Sequence, residues 1–199
     1  MRKAPFMVEH APNPVTDAPA SRLQSKLAGR PLVLVGLMGA GKSAVGRRVA
    51  HILDVAFVDA DTEIEAAADM TIADIFETYG EPEFRRLEAS VMKRLLTDGN
   101  QIIATGGGAF MKAQTREAIA QHAVSVWLRA DLDLLMDRVS RKQTRPLLKQ
   151  RDPRGVMQSL MDERYPVYAL ADVTVESADV TKDAMAERII DAALSHLEG

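Results

Sequence analysis

Gly36-Leu37-Met38-Gly39-Ala40-Gly41-Lys42-Ser43 is the stretch from which the rest of this chain is read. A glycine, four residues and then Gly-Lys-Ser is the spacing of a phosphate-binding loop. Its flanks agree. The apolar run Leu32-Val33-Leu34-Val35 precedes it as a buried parallel strand would, and Val45, Val49, Ile52 and Leu53 recur behind it at helical spacing. Glycines let successive backbone N–H groups turn inward without Cβ clashes, and the helix that follows aims its positive end at the same anion. Lys42 can then reach the outer phosphates, and the Ser43 hydroxyl can hold Mg²⁺. Gly39, Ala40, Gly41 and Ala44 complete the expected nucleotide cradle. A tight glycine-rich turn from strand to helix is the plainer reading, and the flanks argue against it.

Working outward, Val55-Ala56-Phe57-Val58 reads as a second short buried strand, ending in Asp59-Ala60-Asp61. Residues 101–105 read as a third, running into Gly106-Gly107-Gly108. Residues 124–128 and 173–175 supply a fourth and a fifth. Helical patterns fill the gaps. Thr71 with Asp74 three residues on is a helix-capping pattern, Gly80 closes that helix, and Pro82 opens another. In that next helix Phe84, Leu87, Val91, Leu95 and Leu96 form one apolar stripe. The last helix spans about 182–197. Strands alternating with helices predict an α/β fold of three layers, α/β/α, around a five-stranded parallel sheet. Ligands in such sheets bind beyond the carboxyl ends of the strands. The clusters 36–43, 59–61 and 106–108 all fall there, so three distant segments converge on one edge.

The 199 residues suit one compact domain, expected over 30–199. Residues 1–29 read as a mobile tail, broken by Pro5, Pro12, Pro14 and Pro19, with at most a short helical turn around Leu23 to Leu27. The chain is 47% hydrophobic and 27% charged, with a formal net charge of −3, which argues against a general binder of nucleic acid or anionic membranes. The absence of cysteine excludes disulfides and thiolate metal sites. Arg2 and Lys3 are followed by no apolar segment of a secretion signal, and no run approaches the roughly 20 apolar residues of a membrane span. Cytoplasm is the expected location. Positive charge is nevertheless concentrated from Arg138 to Arg154, where Pro146 and Pro153 are expected to interrupt any helix. A phosphate loop elsewhere makes this segment, about 141–153, an expected lid over phosphates, the simpler alternative being a solvated basic loop.

These pieces together resemble the shikimate kinases. The likeness runs from about Pro31 to the last helix, through residues 36–43, Asp59-Ala60-Asp61, Phe84-Arg85-Arg86-Leu87-Glu88, Gly106-Gly107-Gly108, Arg145-Pro146-Leu147-Leu148 and Arg164-Tyr165-Pro166-Val167-Tyr168. Only the first is specific by itself; six in this order are highly specific. The resemblance implies a nucleotide-kinase-like sheet of strand order 2-3-1-4-5 with a lid. It also implies transfer of the ATP γ-phosphate to the 3-hydroxyl of shikimate, with Mg²⁺. A monomer without nucleic-acid or membrane partners is expected. Arg85 and Arg164 would clamp the substrate carboxylate, where two planar guanidinium forks suit a planar acid. Glu88, one turn along, would hold Arg85. Asp61 would face the substrate hydroxyls and Asp59 would hold Mg²⁺ through water. The backbone of Gly106, Gly107 and Gly108 would touch substrate, Arg145 would reach the ATP phosphates, and Arg138 would flank adenine, with Arg141 a neighbouring candidate. Lys42, Asp61 and Arg145 are the expected catalytic residues.

Duller readings stand beside these. Asp-x-Asp after a strand caps helices, three glycines make flexible turns, and an arginine near glutamates makes surface ion pairs, as expected of Arg86. Ala44 stands where many relatives carry threonine. Residues 179–182 match the family poorly, and no role is assigned to them. A gluconate kinase-like enzyme is the alternative, sharing loop and lid but not the clamp. A GTPase switch lacks its Asn-Lys-x-Asp motif here, and its one Asp-x-x-Gly, Asp152 to Gly155, falls in the expected lid. A non-catalytic nucleotide module would not need Lys42, Ser43, Asp59, Asp61 and Arg145 together.

Overall fold

The computed structural model describes residues 18–141 and 151–199. Residues 1–17, Arg145 and the middle of the expected lid lie outside the described residues.

The run before the phosphate loop forms β1 (Leu32–Val35), each residue of which is buried. That follows from its position. β3 (Gln101–Ala104) and β4 (Val124–Arg129) flank it, β2 (Ala56–Asp59) lies beyond β3, and β5 (Val173–Glu176) lies beyond β4. The order is β2-β3-β1-β4-β5 with every pairing parallel, as the resemblance implied. The sheet edges correct one expectation. Val55 to Val58 reads as a buried strand, but the strand starts one residue later and none of its residues is fully buried, Ala56 being exposed. An edge strand has a neighbour on one side only, and its apolar composition does not reveal that.

Helices cover the sheet. The first, α1 (Pro19–Leu27), precedes β1; α2 (Lys42–Ile52) follows the loop and packs on β1, β2 and β3. Then come α3 (Ala60–Ala68), α4 (Ile72–Thr97), α5 (Ala113–His122), α6 (Leu132–Ser140), α7 (Pro153–Tyr168) and α8 (Lys182–Glu198). The last of these packs on α1, α2, β4 and β5, while α5 packs on β4 and α4. The capping pattern holds: Thr71 Oγ1 accepts the Asp74 N–H at 3.2 Å. Gly80, at φ 76° and ψ 176°, kinks α4 where one helix was expected to end and another to begin.

Two boundaries differ from expectation. Residues 18–29 are not tail: α1 buries Leu23 and Leu27 to within 1% exposure and docks against α8. A partner helix some 160 residues away stabilises it, which local proline content cannot reveal. Pro153 does not interrupt a helix but starts α7, where Asp152 Oδ1 accepts the Gly155 N–H at 2.9 Å. The positive charge at the ends of the basic segment is also partly matched. Arg141 pairs with Asp137 at 2.7 Å and Arg154 with Asp133 at 2.6 Å, both on α6. Among the described residues no helix is long and apolar enough to cross a membrane.

Candidate active site

Because all five strands are parallel, their carboxyl ends share one edge, and the polar segments of the sequence meet there. The loop after β1 holds Gly39 and Gly41 at φ 87° and 99°, conformations that a side chain would strain. Lys42, the first residue of α2, folds back so that Nζ donates to the carbonyls of Gly36 at 2.7 Å and Leu37 at 3.1 Å. The start of α2, its positive dipole end, lies at the cavity that Gly41, Lys42, Ser43 and Ala44 line. Arg138, from α6, braces the loop from outside. Its Nη1 donates to Ser177 Oγ at 2.8 Å and lies 3.4 Å from the carbonyls of Gly39 and Ala40, while Nη2 donates to the Ala178 carbonyl at 2.6 Å. Ser177 Oγ in turn donates to the Ala40 carbonyl at 3.1 Å.

Beside the loop, the two aspartates after β2 take different jobs. Asp59 is the N-cap of α3, its Oδ1 accepting the Asp61 N–H at 3.2 Å, and its Oδ2 accepts the Ser43 hydroxyl at 2.7 Å. One carboxylate thus ties the helix start to the phosphate loop. Burial, and then the neighbouring Asp59 charge, push the Asp61 carboxyl above its usual range, against the pull of Lys42. Asp61 Oδ1 lies so close to Gly106 that a Cβ there would come within 2.5 Å of it. Any side chain at 106 would displace the carboxylate.

The next two glycines seat the two arginines. A Cβ on Gly107 would stand 3.1 Å from Arg164 Nη1, and one on Gly108 would stand 2.7 Å from Arg85 Nη1. A side chain at either position would have to push a guanidinium group aside. Arg85, on α4, is held by Glu88 Oε2 at 2.8 Å and by Glu81 Oε1 at 3.1 Å. Glu88 is itself buried, at 3% exposure, so this ion pair differs in kind from that of Arg86 with Glu83, which faces solvent. Arg164, on α7, keeps a buried Nε–H with no hydrogen-bond partner among the described residues. An orphaned buried donor costs about 1–3 kcal/mol, and an anionic ligand on this guanidinium would offset that.

A cavity of about 710 Å³ joins these groups, a volume suited to small-molecule ligands. Gly39, Gly41, Lys42, Ser43, Ala44, Asp59, Asp61, Gly106, Gly107, Arg138, Arg141 and Arg164 all line it. Ala40, Gly108 and Arg85 stand outside the lining, and Ala40, though part of the loop, is buried. No group of three or more His, Cys, Asp or Glu side chains suited to a metal exists among the described residues. The Ser43 hydroxyl and Asp59 carboxylate are hard oxygen donors at hydrogen-bond distance, which fits Mg²⁺, an ion that keeps several waters and draws its other ligands from phosphates.

The family model described as shikimate kinase matches residues 38–194. The chain belongs to the shikimate kinase family. It is 56% identical over 190 residues to a shikimate kinase of Mesorhizobium japonicum, covering 96% of this chain and 93% of that protein. Its fold superposes with a TM-score of 0.80 on a shikimate kinase from Acinetobacter baumannii solved with shikimate, at 36% identity, covering 87% of this chain and 97% of the other. A gluconokinase from Sinorhizobium meliloti gives a TM-score of 0.52 at 19% identity, over 85% of this chain and 92% of that one. That likeness shows the common fold alone.

For a shikimate kinase, the sequence reading leaves one wall unassigned. Ser177, Ala178, Asp179, Val180 and Lys182 line the cavity beside Arg138. Their signal was positional: they follow the last strand, on the edge where ligands bind. Tyr168 was also passed over, although it lies in a quoted motif. Its hydroxyl donates to the Gly107 carbonyl, joining α7 to the glycine segment.

Proposed function

We propose that this chain transfers the γ-phosphate of ATP to the 3-hydroxyl of shikimate, releasing ADP and shikimate 3-phosphate. One observation carries the reading: a single cavity is lined by the phosphate loop and by Asp61 and Arg164. A triphosphate and a hydroxylated acid can therefore share one enclosure. Family membership supports the choice of acid.

The parts divide the work. Backbone N–H groups of residues 39–44 and the start of α2 would cradle the phosphates, with Lys42 exchanging its loop carbonyls for phosphate oxygens. Ser43 and Asp59 would hold Mg²⁺, which supplies charge neutralisation at the phosphates when bound. Arg164, with Arg85 behind Gly108, would fix the substrate carboxylate and so present the ring in one orientation. Asp61 would accept the hydrogen bond of the attacking hydroxyl. Its raised carboxyl range also suits it to receive the proton, since a base closer to neutral pH is the better matched one. Arg138 would serve twice, as a brace of the loop and as a wall beside the nucleotide. Each of these groups comes from one chain, so a monomer suffices, and its small polar ligands suit the cytoplasm.

The test is ADP release with ATP and Mg²⁺ over a panel of shikimate, quinate and gluconate. The reading expects turnover with shikimate far above the other two. Preference for gluconate would replace it with the gluconate kinase-like alternative.

A further inference from the structure

Tyr168 is fully buried, yet its polar end does not stop in the core. The ring sits among Phe110, Trp127 and Tyr165, with centroids 6.4, 6.1 and 6.3 Å away. The hydroxyl passes beyond them and donates to the Gly107 carbonyl. On its other side stands Arg164, one helical turn earlier in α7 and hence on the same face. Both meet at one glycine: a Cβ on Gly107 would lie 3.1 Å from Arg164 Nη1 and 3.6 Å from the Tyr168 oxygen. Burial raises the phenol's pKa, while the charge and hydrogen bond of Arg164 oppose the rise.

We infer that Tyr168 is a positioning residue for the acid substrate, its hydroxyl locking the Gly107 peptide and the Arg164 guanidinium in register with each other. The inference rests on the proposed activity. A trans peptide is planar, so holding the Gly107 carbonyl toward Tyr168 fixes the Gly108 N–H in the opposite direction. The same oxygen has lone pairs left for the Arg164 guanidinium. One hydroxyl therefore sets two substrate-side groups that come from distant parts of the chain. A residue needed only to fill the core would do this equally well as phenylalanine.

Tyr165 supplies the control. It lies on the same helix and packs edge-on against Trp127 at 4.9 Å, but its hydroxyl donates to the Ala130 carbonyl, away from the glycine segment. The experiment compares wild type, Tyr168→Phe and Tyr165→Phe in the full chain, reading melting temperature and the separate KM values for shikimate and ATP. Both variants keep the ring and lose one hydroxyl, so similar falls in melting temperature are expected. Only Tyr168→Phe should raise the shikimate KM, by about tenfold (about 1.4 kcal/mol), with the ATP KM unchanged. A shikimate KM equal to that of Tyr165→Phe overturns the inference, and so does a rise shared equally by both substrates. Wild-type protein that fails to use shikimate overturns the proposed activity and with it this inference, whereas wild type that uses shikimate leaves the two variants to decide this inference alone.

Discussion

The Ser43 hydroxyl donates to Asp59 Oδ2 at 2.7 Å, bridging the start of α2 to the end of β2. The other oxygen of the same carboxylate caps α3. The proposed metal binding and the observed helix capping thus fall on one side chain, and the two can be separated by substitution. Asp59→Asn keeps an amide oxygen for the cap but loses the negative charge, so its melting temperature should stay near wild type while the Mg²⁺ concentration for half-maximal rate rises. Asp59→Ala should lose about 0.5–2 kcal/mol of stability as well. Ser43→Ala should lower turnover about 10²–10³-fold, by analogy with loss of one transition-state contact, with the fold intact. Titration of rate against Mg²⁺ alongside thermal melts separates the three.

Asp61 should trade stability for turnover. Burial and Asp59 raise its carboxyl range, so folding favours the protonated form. The stabilising contribution is complete below the usual carboxylate range and is lost as pH rises through the raised value. At neutral pH the ionised group therefore opposes folding. Asp61→Asn should melt higher than wild type at pH 7, with the difference vanishing toward about pH 3, while turnover falls about 10²-fold or more. Melts from pH 3 to 8 check the sign.

The two arginines should differ in what else their removal does. Arg85→Ala and Arg164→Ala should each weaken shikimate binding by about 2–5 kcal/mol and leave binding of an ATP analogue nearly unchanged. Only Arg85→Ala also strands a buried carboxylate, Glu88, and should lose about 1–3 kcal/mol of stability or more. Adding Glu88→Gln should recover stability without recovering shikimate binding. Lysine at either position should restore binding only in part, since a point charge lacks the planar fork. Arg86→Ala removes a solvent-facing pair and should alter neither property measurably.

Arg138 should act on the nucleotide side alone. It contacts the carbonyls of Gly39 and Ala40 and the Ser177–Ala178 wall. Arg138→Ala should raise the ATP KM about tenfold and leave shikimate binding measured without nucleotide unchanged, the cost of losing one or two charge-assisted bonds. Calorimetry with each ligand separately decides it.

Much of this site was legible because its parts are local. The phosphate loop, Asp59-Ala60-Asp61 and the three glycines each follow directly on a short apolar strand, and a parallel sheet necessarily brings such segments to one edge. Glu88 and Arg85 are one helical turn apart, so their pairing needed no tertiary information. The rest depends on distant partners. Leu23 and Leu27 look like part of a tail until α8 is there to cover them. The apolar residues of β2 do not tell an edge from a centre. Ser177 becomes a loop brace only once Arg138 and Ala40 reach it from two other elements. Tyr168 reads as core until Gly107 is seen at its hydroxyl.

The central claim is that this cavity brings the ATP γ-phosphate to one hydroxyl of a clamped ring acid, and identification of the product tests it most directly. Purified protein, ATP, Mg²⁺ and shikimate should be incubated to completion and the mixture read by phosphorus and proton magnetic resonance. The account predicts one new phosphomonoester, coupled to the proton at ring carbon 3, in amount equal to the ADP formed. ADP released without a phosphorylated shikimate, or phosphate carried on a different hydroxyl, would contradict it.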